Sequence, residues 1–588
     1  MYRGMHEQTT LPLSRVFWLM IFLYLAGAVV IIRLFFLMIL QHDFYVALAA
    51  GTQEVYAQLF PERGEVFIQD SRTKEEFPLA INRDYFLVYA DTREIEHQET
   101  IPDIAKTLTD VLKFDEAKSV TVLAQLQKQN DPYEPIAEKV DEAMVETLRS
   151  KELPGIGFIR KSYRYYPENT LAAPVVGFVG KTQDSEGRDV GQYGVEGYWQ
   201  EQLAGKGGFL EGARSAIGGW IPLAGRSFVP AEEGADIRLT LDRAIQFTAC
   251  ERLRRGMEEY GATSASLVIM QPYTGAILAM CSLPDFDPNN YGDVSDITAY
   301  NNTTIFTPYE PGSIVKPLTM AVAVQEGLVS PETTFYDSGA REGLCAKSIR
   351  NADLKSYNTQ TMNGVLENSI NTGMVFVVEK IGKFRFREYL EKFGFGVEEG
   401  IELDTEVSGT IDSLSENKGD KLDCYTATAS FGQGITATPL QMVTAFSAIA
   451  NGGTLMKPYI VERIEYTDGR IEETRPTPIR PVLSSRTTAL VSGMMVNVID
   501  RGHGKQAKIP GYYIAGKTGT AQIPGPGGYT AETNHSFVGF APVDDPKFVM
   551  IVKFEKPRRK YAESTAVPVF HDIAEFLLQY YQVPPTRK

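Results

Sequence analysis

Ser266-Leu267-Val268-Ile269-Met270-Gln271-Pro272-Tyr273-Thr274-Gly275-Ala276-Ile277-Leu278-Ala279-Met280 decides the fold class. Ser266–Met270 is a β-rich run, Pro272–Gly275 is turn chemistry, and Ala276–Met280 is a second β-rich run, so the stretch predicts a hairpin. Upstream, Ile237–Leu241 alternates as a strand. Asp242 is a good N-cap, and Ile245, Ala249, Leu253 and Met257 form a stripe spaced by four, as one helix face requires. Downstream, Thr438-Pro439 opens an apolar run to Ala450 that ends before Gly452. It predicts a capped helix, apolar nearly all round and therefore buried. Ser536–Phe540 and Phe548–Phe554 flank Pro542–Pro546 as a second hairpin, and a last helix is predicted over Pro568–Tyr580. Hairpins with buried helices between them point to an antiparallel sheet covered by helices, not a βαβ array.

The chain has 588 residues, 43% hydrophobic and 22% charged. That is ordinary globular composition, which excludes a disordered chain, a collagen-like repeat and a many-pass membrane protein. Lys and Arg total 58 against 74 Asp and Glu, a net charge of −16. Nucleic acid is a poor partner for so acidic a chain, because phosphate neutralisation needs clustered Lys and Arg. The four cysteines, Cys250, Cys281, Cys345 and Cys424, contain no C-x-x-C pair, so a structural zinc site is disfavoured. Their wide spacing leaves disulfides open, with small buried hydrophobes as the simpler reading.

Val16–Leu40 is apolar except for Arg33. It is long enough for a membrane-spanning helix and longer than the core of a secretory signal, although Ala47-Leu48-Ala49 resembles a small-residue cleavage site. Arg3 and Arg15 precede the span, and no Lys or Arg follows until Arg63. The positive-inside rule then places residues 1–15 in the cytoplasm and the rest outside the cytoplasmic membrane. Arg33 could snorkel to the headgroups or meet a partner helix. Residues 41–235 mix short strands and helices, with Ala137–Lys151 read as a charged surface helix and Gly205–Gly219 as loop or hairpin. No titratable cluster with a clear chemical use stands out there. Residues 236–588 carry the sharper pattern.

Three short pieces carry chemistry. In Glu310-Pro311-Gly312-Ser313-Ile314-Val315-Lys316, Pro-Gly ends a loop before an apolar helical run. Ser313 therefore sits near a helix N-terminus, where the dipole favours a developing oxyanion. Lys316 lies three residues on, on the same face, and an apolar surround would leave it neutral and basic. In Asn368-Ser369-Ile370-Asn371 a hydroxyl and an amide can project together from a turn. Gly511–Thr518 matches the phosphate-loop pattern G-x-x-x-x-G-K-[ST]. Yet Tyr512-Tyr513-Ile514-Ala515 is bulky and strand-like, and Pro524 and Pro526 forbid a following helix. The better reading is a strand carrying Lys517 at a cleft edge. Gly519 would let a peptide lie close, and Lys517, Thr518 and Thr520 would bind a carboxylate. The six histidines (6, 42, 97, 503, 535, 571) lie outside all three pieces, which disfavours a His-based triad.

The order S-x-x-K, S-x-N, K-T-G, with 56 residues from Ser313 to Ser369 and 148 from Ser369 to Lys517, is the set shared by penicillin-binding proteins and class A β-lactamases. The chain resembles a class B penicillin-binding protein, a peptidoglycan D,D-transpeptidase. Arg63-Gly64-Glu65-Val66, Gly194-Val195-Glu196 within Gly191–Gly205, Thr274–Met280 with Pro284 and Asp287-Pro288-Asn289, Phe431-Gly432-Gln433-Gly434 and Thr438-Pro439-Leu440-Gln441 extend the likeness over nearly the whole chain. The resemblance implies a cytoplasmic tail (1–15), a single transmembrane helix (16–40), an α+β pedestal or dimerisation domain (41–235) and an α/β penicilloyl-serine transferase domain (236–588) with a five-stranded antiparallel sheet covered by helices.

It further implies Ser313 as nucleophile, Lys316 as its base, Ser369 and Asn371 as proton relay and amide holder, and Lys517, Thr518, Gly519 and Thr520 as the carboxylate-binding strand. The oxyanion would be held by the Ser313 and Thr520 N–H groups. Stem peptides ending in D-Ala-D-Ala, on lipid-linked nascent glycan, would be the substrate, and β-lactams the inhibitors. No metal or cofactor is implied. The Tyr309–Ser313 wording and the modest pedestal are more similar to the septal enzyme than to the elongation one. That implies a SEDS-family glycosyltransferase and division proteins as partners. Two positions depart from the family pattern: Ile370 where Ser is frequent, and Asn301-Asn302-Thr303 where Asn-Arg-Ala is frequent. The competing classes are a non-catalytic penicillin-binding scaffold, a P-loop ATPase and a serine β-lactamase. The last would need neither span nor pedestal.

Overall fold

The computed structural model describes residues 54–59, 61–95, 97–182, 189–213, 227–415 and 421–587, with nine helical positions between Trp18 and Val29. Most of the predicted span Val16–Leu40 lies outside the described residues, and among these no helix is long and apolar enough to cross a membrane. Two compact units are present. One comprises Met1–Pro61 with Gly205–Glu233. Its described part is a three-stranded antiparallel sheet in the order Glu54–Leu59, Gly208–Ala213, Ser227–Val229. The glycine-rich stretch expected as loop or hairpin thus begins as a strand, because Gly208 runs where a Cβ would meet the Val229 carbonyl oxygen at 2.3 Å; residues 214–220 lie outside the described residues.

The second unit, Glu62–Ala204 with Gly234–Lys588, holds everything else. Its centre is a five-stranded antiparallel sheet of β1 (Ser264–Met270), β2 (Ile277–Leu283), β3 (Ala515–Gly525), β4 (Gly528–Ala541) and β5 (Phe548–Glu555), in the order β2-β1-β5-β4-β3. Strand alternation sorts its side chains to two faces. Leu267, Ile269, Val552 and Phe554 meet helices α1 (Arg243–Tyr260) and α6 (Ala566–Tyr580). Val268, Met270, Val549 and Ile551 meet a second core containing α2 (Lys316–Gln325), α3 (Asn371–Ile381), α4 (Pro439–Ala450) and α5 (Ser485–Asp500). Asp242 caps α1 by accepting from Ile245 N–H, and Thr438 and Gln441 form a full capping box on α4. Every α4 residue from Pro439 to Ile449 is buried, as its all-round apolar sequence requires.

Residues 62–204 contribute four strands to a seven-stranded mixed sheet, whose other three are Asp236–Asp242, Val461–Glu465 and Ile471–Glu473. Val66–Gln69 runs parallel to Asp236–Asp242, and Glu76–Ala90 pairs with Glu134–Val140 and Ile156–Tyr165. This corrects the helix expected over Ala137–Lys151. Buried Ile136 and Val140 belong to a strand, and only Glu142–Arg149 is helical. Charged residues on the outer side of that strand imitate a helical surface pattern. The carboxy-terminal hairpin is also longer than expected, since β4 begins at Gly528. All four cysteines are paired, Cys250 with Cys281 and Cys345 with Cys424. The simpler reading of them as free hydrophobes fails because separations of 31 and 79 residues hide Cα atoms only 5.5 and 4.8 Å apart.

A buried ion cluster fastens the Arg63 segment. Glu196, fully buried, accepts from Arg63 Nε and Arg164 Nε, each at 2.7 Å. Arg63 also donates to Gln200 Oε1 at 2.9 Å. Burial alone would raise the Glu196 pKa, but the two guanidinium groups outweigh it and hold the carboxyl below its ordinary value. Glu196→Ala strands two buried cations, so equilibrium denaturation should show a loss of about 3–5 kcal/mol.

Candidate active site

The three motif segments converge at β3, the edge strand of the central sheet. Ser313 lies in a single 3-10 turn, Gly312–Val315, that runs into α2. Gly312 has φ +60, and a Cβ there would lie 2.9 Å from Ala521 Cβ on β3, so only glycine lets the loop close on the strand. Gly312 N–H donates to Gly432 O at 3.0 Å, which ties the same loop to the Phe431–Gly434 turn. Ser313 is partly exposed between fully buried neighbours.

Lys316 opens α2 and is fully buried. Its Nζ donates to Ser369 O (2.6 Å), Ser369 Oγ (3.1 Å) and Asn371 Oδ1 (2.7 Å). Ser369 sits at φ +53 in the break between the helix Met362–Glu367 and α3. Lys517, on β3 and also fully buried, donates to the same Ser369 Oγ at 3.0 Å, and to Thr518 O and Oγ1. One hydroxyl therefore lies between two amines. Desolvation drives the Lys316 amine well below its ordinary pKa, and the Lys517 charge adds to that. Desolvation pushes Lys517 down to about 7, against the opposing pull of Glu563. Near neutral pH the pair therefore holds a free lone pair, and the Ser369 hydroxyl can pass a proton between the two amines.

The turn carrying Ser369 and Asn371 rests on groups that the sequence reading did not single out. Asn371 N–H donates to Asn351 Oδ1, and Asn371 Nδ2 donates to Arg350 O. Asn351 is fixed by Asp337, whose buried carboxylate accepts from Asn351 Nδ2 at 2.8 Å, Thr372 Oγ1 at 2.6 Å and Tyr357 N–H at 2.8 Å. No local pattern marks Asp337, which lies 35 residues before Thr372.

One expectation about β3 changes. Gly519 does not clear space for a ligand: a Cβ there would strike Ser536 Oγ at 2.5 Å and Pro311 O at 3.0 Å, so its bareness admits the Ser313 loop instead. Thr520 Oγ1 accepts from Ala562 N–H at 3.1 Å and keeps its hydroxyl proton to donate to a carboxylate. The phosphate-loop alternative fails on the backbone, because Ala515–Gly525 is one continuous strand turning into β4 with no helix behind it. Among the described residues, no group of His, Cys, Asp and Glu side chains could hold a metal ion.

Residues 265–575 match the family model described as the penicillin binding protein transpeptidase domain. The chain belongs to this family. Residues 58–239 match the penicillin-binding protein dimerisation domain, which completes the two-domain class B architecture. The chain is 33% identical to stage V sporulation protein D of Bacillus subtilis over 90% of this chain and 79% of that one. It is 27% identical to the peptidoglycan D,D-transpeptidase FtsI homolog of Mesostigma viride over 99% and 98% of the two chains. Among solved structures, penicillin binding protein 3 of Mycobacterium tuberculosis, complexed with aztreonam, superposes with a TM-score of 0.66 at 25% identity, over 90% of this chain and 99% of that one.

Burying two amines side by side costs stability, and the sign follows from their lowered pKa values. Between pH 10 and 7 the unfolded chain binds a proton at Lys517 that the folded chain refuses, so this group's contribution to stability falls as pH falls. Lys517→Met should therefore raise the unfolding free energy at pH 7 by ~0.5–2 kcal/mol and flatten its pH dependence between 7 and 10, as measured by denaturant titration.

Proposed function

We propose that this protein is a serine-type peptidoglycan D,D-transpeptidase that cross-links stem peptides through an acyl-serine intermediate. The observation that carries this is the buried Lys316–Ser369–Lys517 hydrogen-bond chain beside a serine at a helix N-terminus. Neutral Lys316 takes the Ser313 proton as Oγ attacks the carbonyl of the penultimate D-Ala. The oxyanion that forms faces the N–H groups of Ser313 and Thr520. The C–N bond breaks, and the departing D-Ala amine takes a proton relayed from Lys316 through Ser369, leaving an ester on Ser313. An amine of a neighbouring stem peptide attacks that ester, and the same groups run in reverse to form the cross-link. Asn371 holds the donor's amide, and Lys517, Thr518 and Thr520 hold its terminal carboxylate. The unpaired edge of β3 suits an extended peptide that adds to the sheet as a further strand.

The wider setting is part of the same reading. Residues 1–15 form a cytoplasmic tail, 16–40 a single membrane span and 41–235 a pedestal, holding the transpeptidase domain, 236–588, outside the cytoplasmic membrane. Septal wall synthesis with a SEDS-family glycosyltransferase and division proteins is the pathway favoured by relatives named FtsI. β-Lactams, which mimic the D-Ala-D-Ala end, acylate Ser313.

Intact-mass analysis of the full-length protein after penicillin treatment tests the chemistry. A stable adduct on Ser313 that is missing in Ser313→Ala is expected; an unmodified wild type sinks the reading. The acylation rate should stay high down to pH values well below the ordinary lysine range and fall once Lys316, which burial and the Lys517 charge hold low, takes up a proton and loses the lone pair that accepts the serine proton. Lys316→Met should slow acylation by about 10²–10⁴-fold on the high-pH plateau and remove this pH dependence.

A further inference from the structure

Glu310, three residues before Ser313, is a buried carboxylate with no cationic partner among the described residues. Its two oxygens reach in different directions. Oε1 accepts from Gly434 N–H at 2.9 Å, and Oε2 accepts from the Tyr529 hydroxyl at 2.9 Å. Gly434 closes the Phe431–Gly434 turn, whose Gly432 carbonyl already holds Gly312 N–H. The Ser313 loop is therefore gripped by that turn on both sides of Pro311. Tyr529 stands near the tip of the β3–β4 hairpin, a two-stranded arm that extends past the five-stranded sheet from Gln522 to Thr533. The arm is mostly exposed and bonded to itself through Thr530 Oγ1 to Ile523 O and Gln522 Nε2 to Thr530 O. Its base is tied to the end of β5 by the Glu532–Lys556 ion pair at 3.0 Å and by Lys556 N–H donating to Thr533 O, and toward its tip, among the described residues, the hydrogen bond from Tyr529 to Glu310 links it to the rest of the domain.

Leaving a buried carboxylate without a counter-charge is costly, and here desolvation raises the Glu310 pKa while its two donors only partly offset it. The place where the cost is accepted matters. With a donor's terminal carboxylate at Lys517, Thr518 and Thr520, and the Ser313 loop lying against Gly519 and Ala521, an extended donor that pairs with the β3 edge continues past Thr520 toward Gln522. The remainder of an extended donor must then run along the arm. A small bicyclic β-lactam ends before reaching it.

We propose that Glu310 is a positioning residue for acyl transfer. Through Gly434 it fixes the loop that presents Ser313, and through Tyr529 it fixes the arm that walls the groove for the amino-terminal part of a peptide donor. The inference rests on the transpeptidase reading and adds a division of labour to it, because the Gly434 contact serves every acylating agent and the Tyr529 contact serves long donors.

Four full-length proteins test it: wild type, Tyr529→Phe, Glu310→Ala and Glu310→Gln. Each is assayed for acylation by a small penicillin and for kcat/KM on a pentapeptide donor ending in D-Ala-D-Ala, with thermal melting to confirm folding. Tyr529→Phe, a surface change, should lower the pentapeptide kcat/KM about tenfold, mainly through KM, and leave penicillin acylation within about twofold. Glu310→Ala should lower both about tenfold or more. Glu310→Gln should recover both to within about threefold, since its amide can accept from Gly434 and donate to the Tyr529 oxygen. The proposal is overturned if Tyr529→Phe leaves the pentapeptide untouched, if it slows penicillin equally, or if Glu310→Gln is as impaired as Glu310→Ala. A wild type that takes no penicillin overturns the transpeptidase reading and this inference with it. A wild type that acylates normally beside an unaffected Tyr529→Phe overturns this inference alone.

Discussion

A single hydroxyl shared by two buried amines organises this domain. Ser369 Oγ can stand 3.1 Å from Lys316 Nζ and 3.0 Å from Lys517 Nζ only if a helix start, a left-handed turn and a sheet edge meet within one side chain's width. Each of the three supports answers that demand. The capless start of α2 puts Lys316 at the site floor, the Asp337–Asn351–Thr372 network freezes the turn, and the edge position of β3 brings Lys517 in from the side. Among the described residues, neither lysine has a carboxylate at hydrogen-bond distance. The site gains reactive amines by withholding the counter-charges that would make them inert.

The glycines around the site work in the same direction. Gly312, Gly432 and Gly519 are each bare where another backbone or strand passes, and they let the Ser313 loop nest between β3 and the Phe431–Gly434 turn. The nucleophile is thereby held by main-chain contacts, with few side chains that could rotate away. Such preorganisation is what a serine needs to attack without first collecting its surroundings.

What could be read from the sequence, and what could not, divides by the range of the interaction. The hairpin of β1 and β2, the Asp242 and Thr438 caps and the all-round apolar α4 depend on neighbours within a few residues, and periodicity exposes them. The three chemical motifs were readable as a set, although the reason Gly519 is glycine was not, since Pro311 and Ser536 approach it from distant segments. Asp337 and Asn351 act through contacts 20–35 residues away. The Glu196 cluster spans 133 residues to Arg63. The disulfides are of the same kind. The strand Glu134–Val140 shows the opposite error, where a strongly charged outer face outweighed a two-residue alternation. The arm from Gln522 to Thr533 is not legible in the sequence, because its prolines and glycines exclude a helix without marking a strand and its strand pairing is satisfied internally.

The order of strands in the central sheet has a consequence for how the molecule comes into being. β1 lies between β2 and β5, so residues near 267 must await residues near 552 before their second row of hydrogen bonds exists. Until the last forty or so residues are available, β1 offers an open row of backbone donors and acceptors in a strongly apolar segment. Folding of this unit is therefore sealed from its carboxy-terminal end, with β5 closing the sheet and α6 covering it. A chain interrupted late in synthesis would hold nearly every catalytic residue and still expose a half-built sheet, a species suited to aggregation and to removal by quality-control proteases.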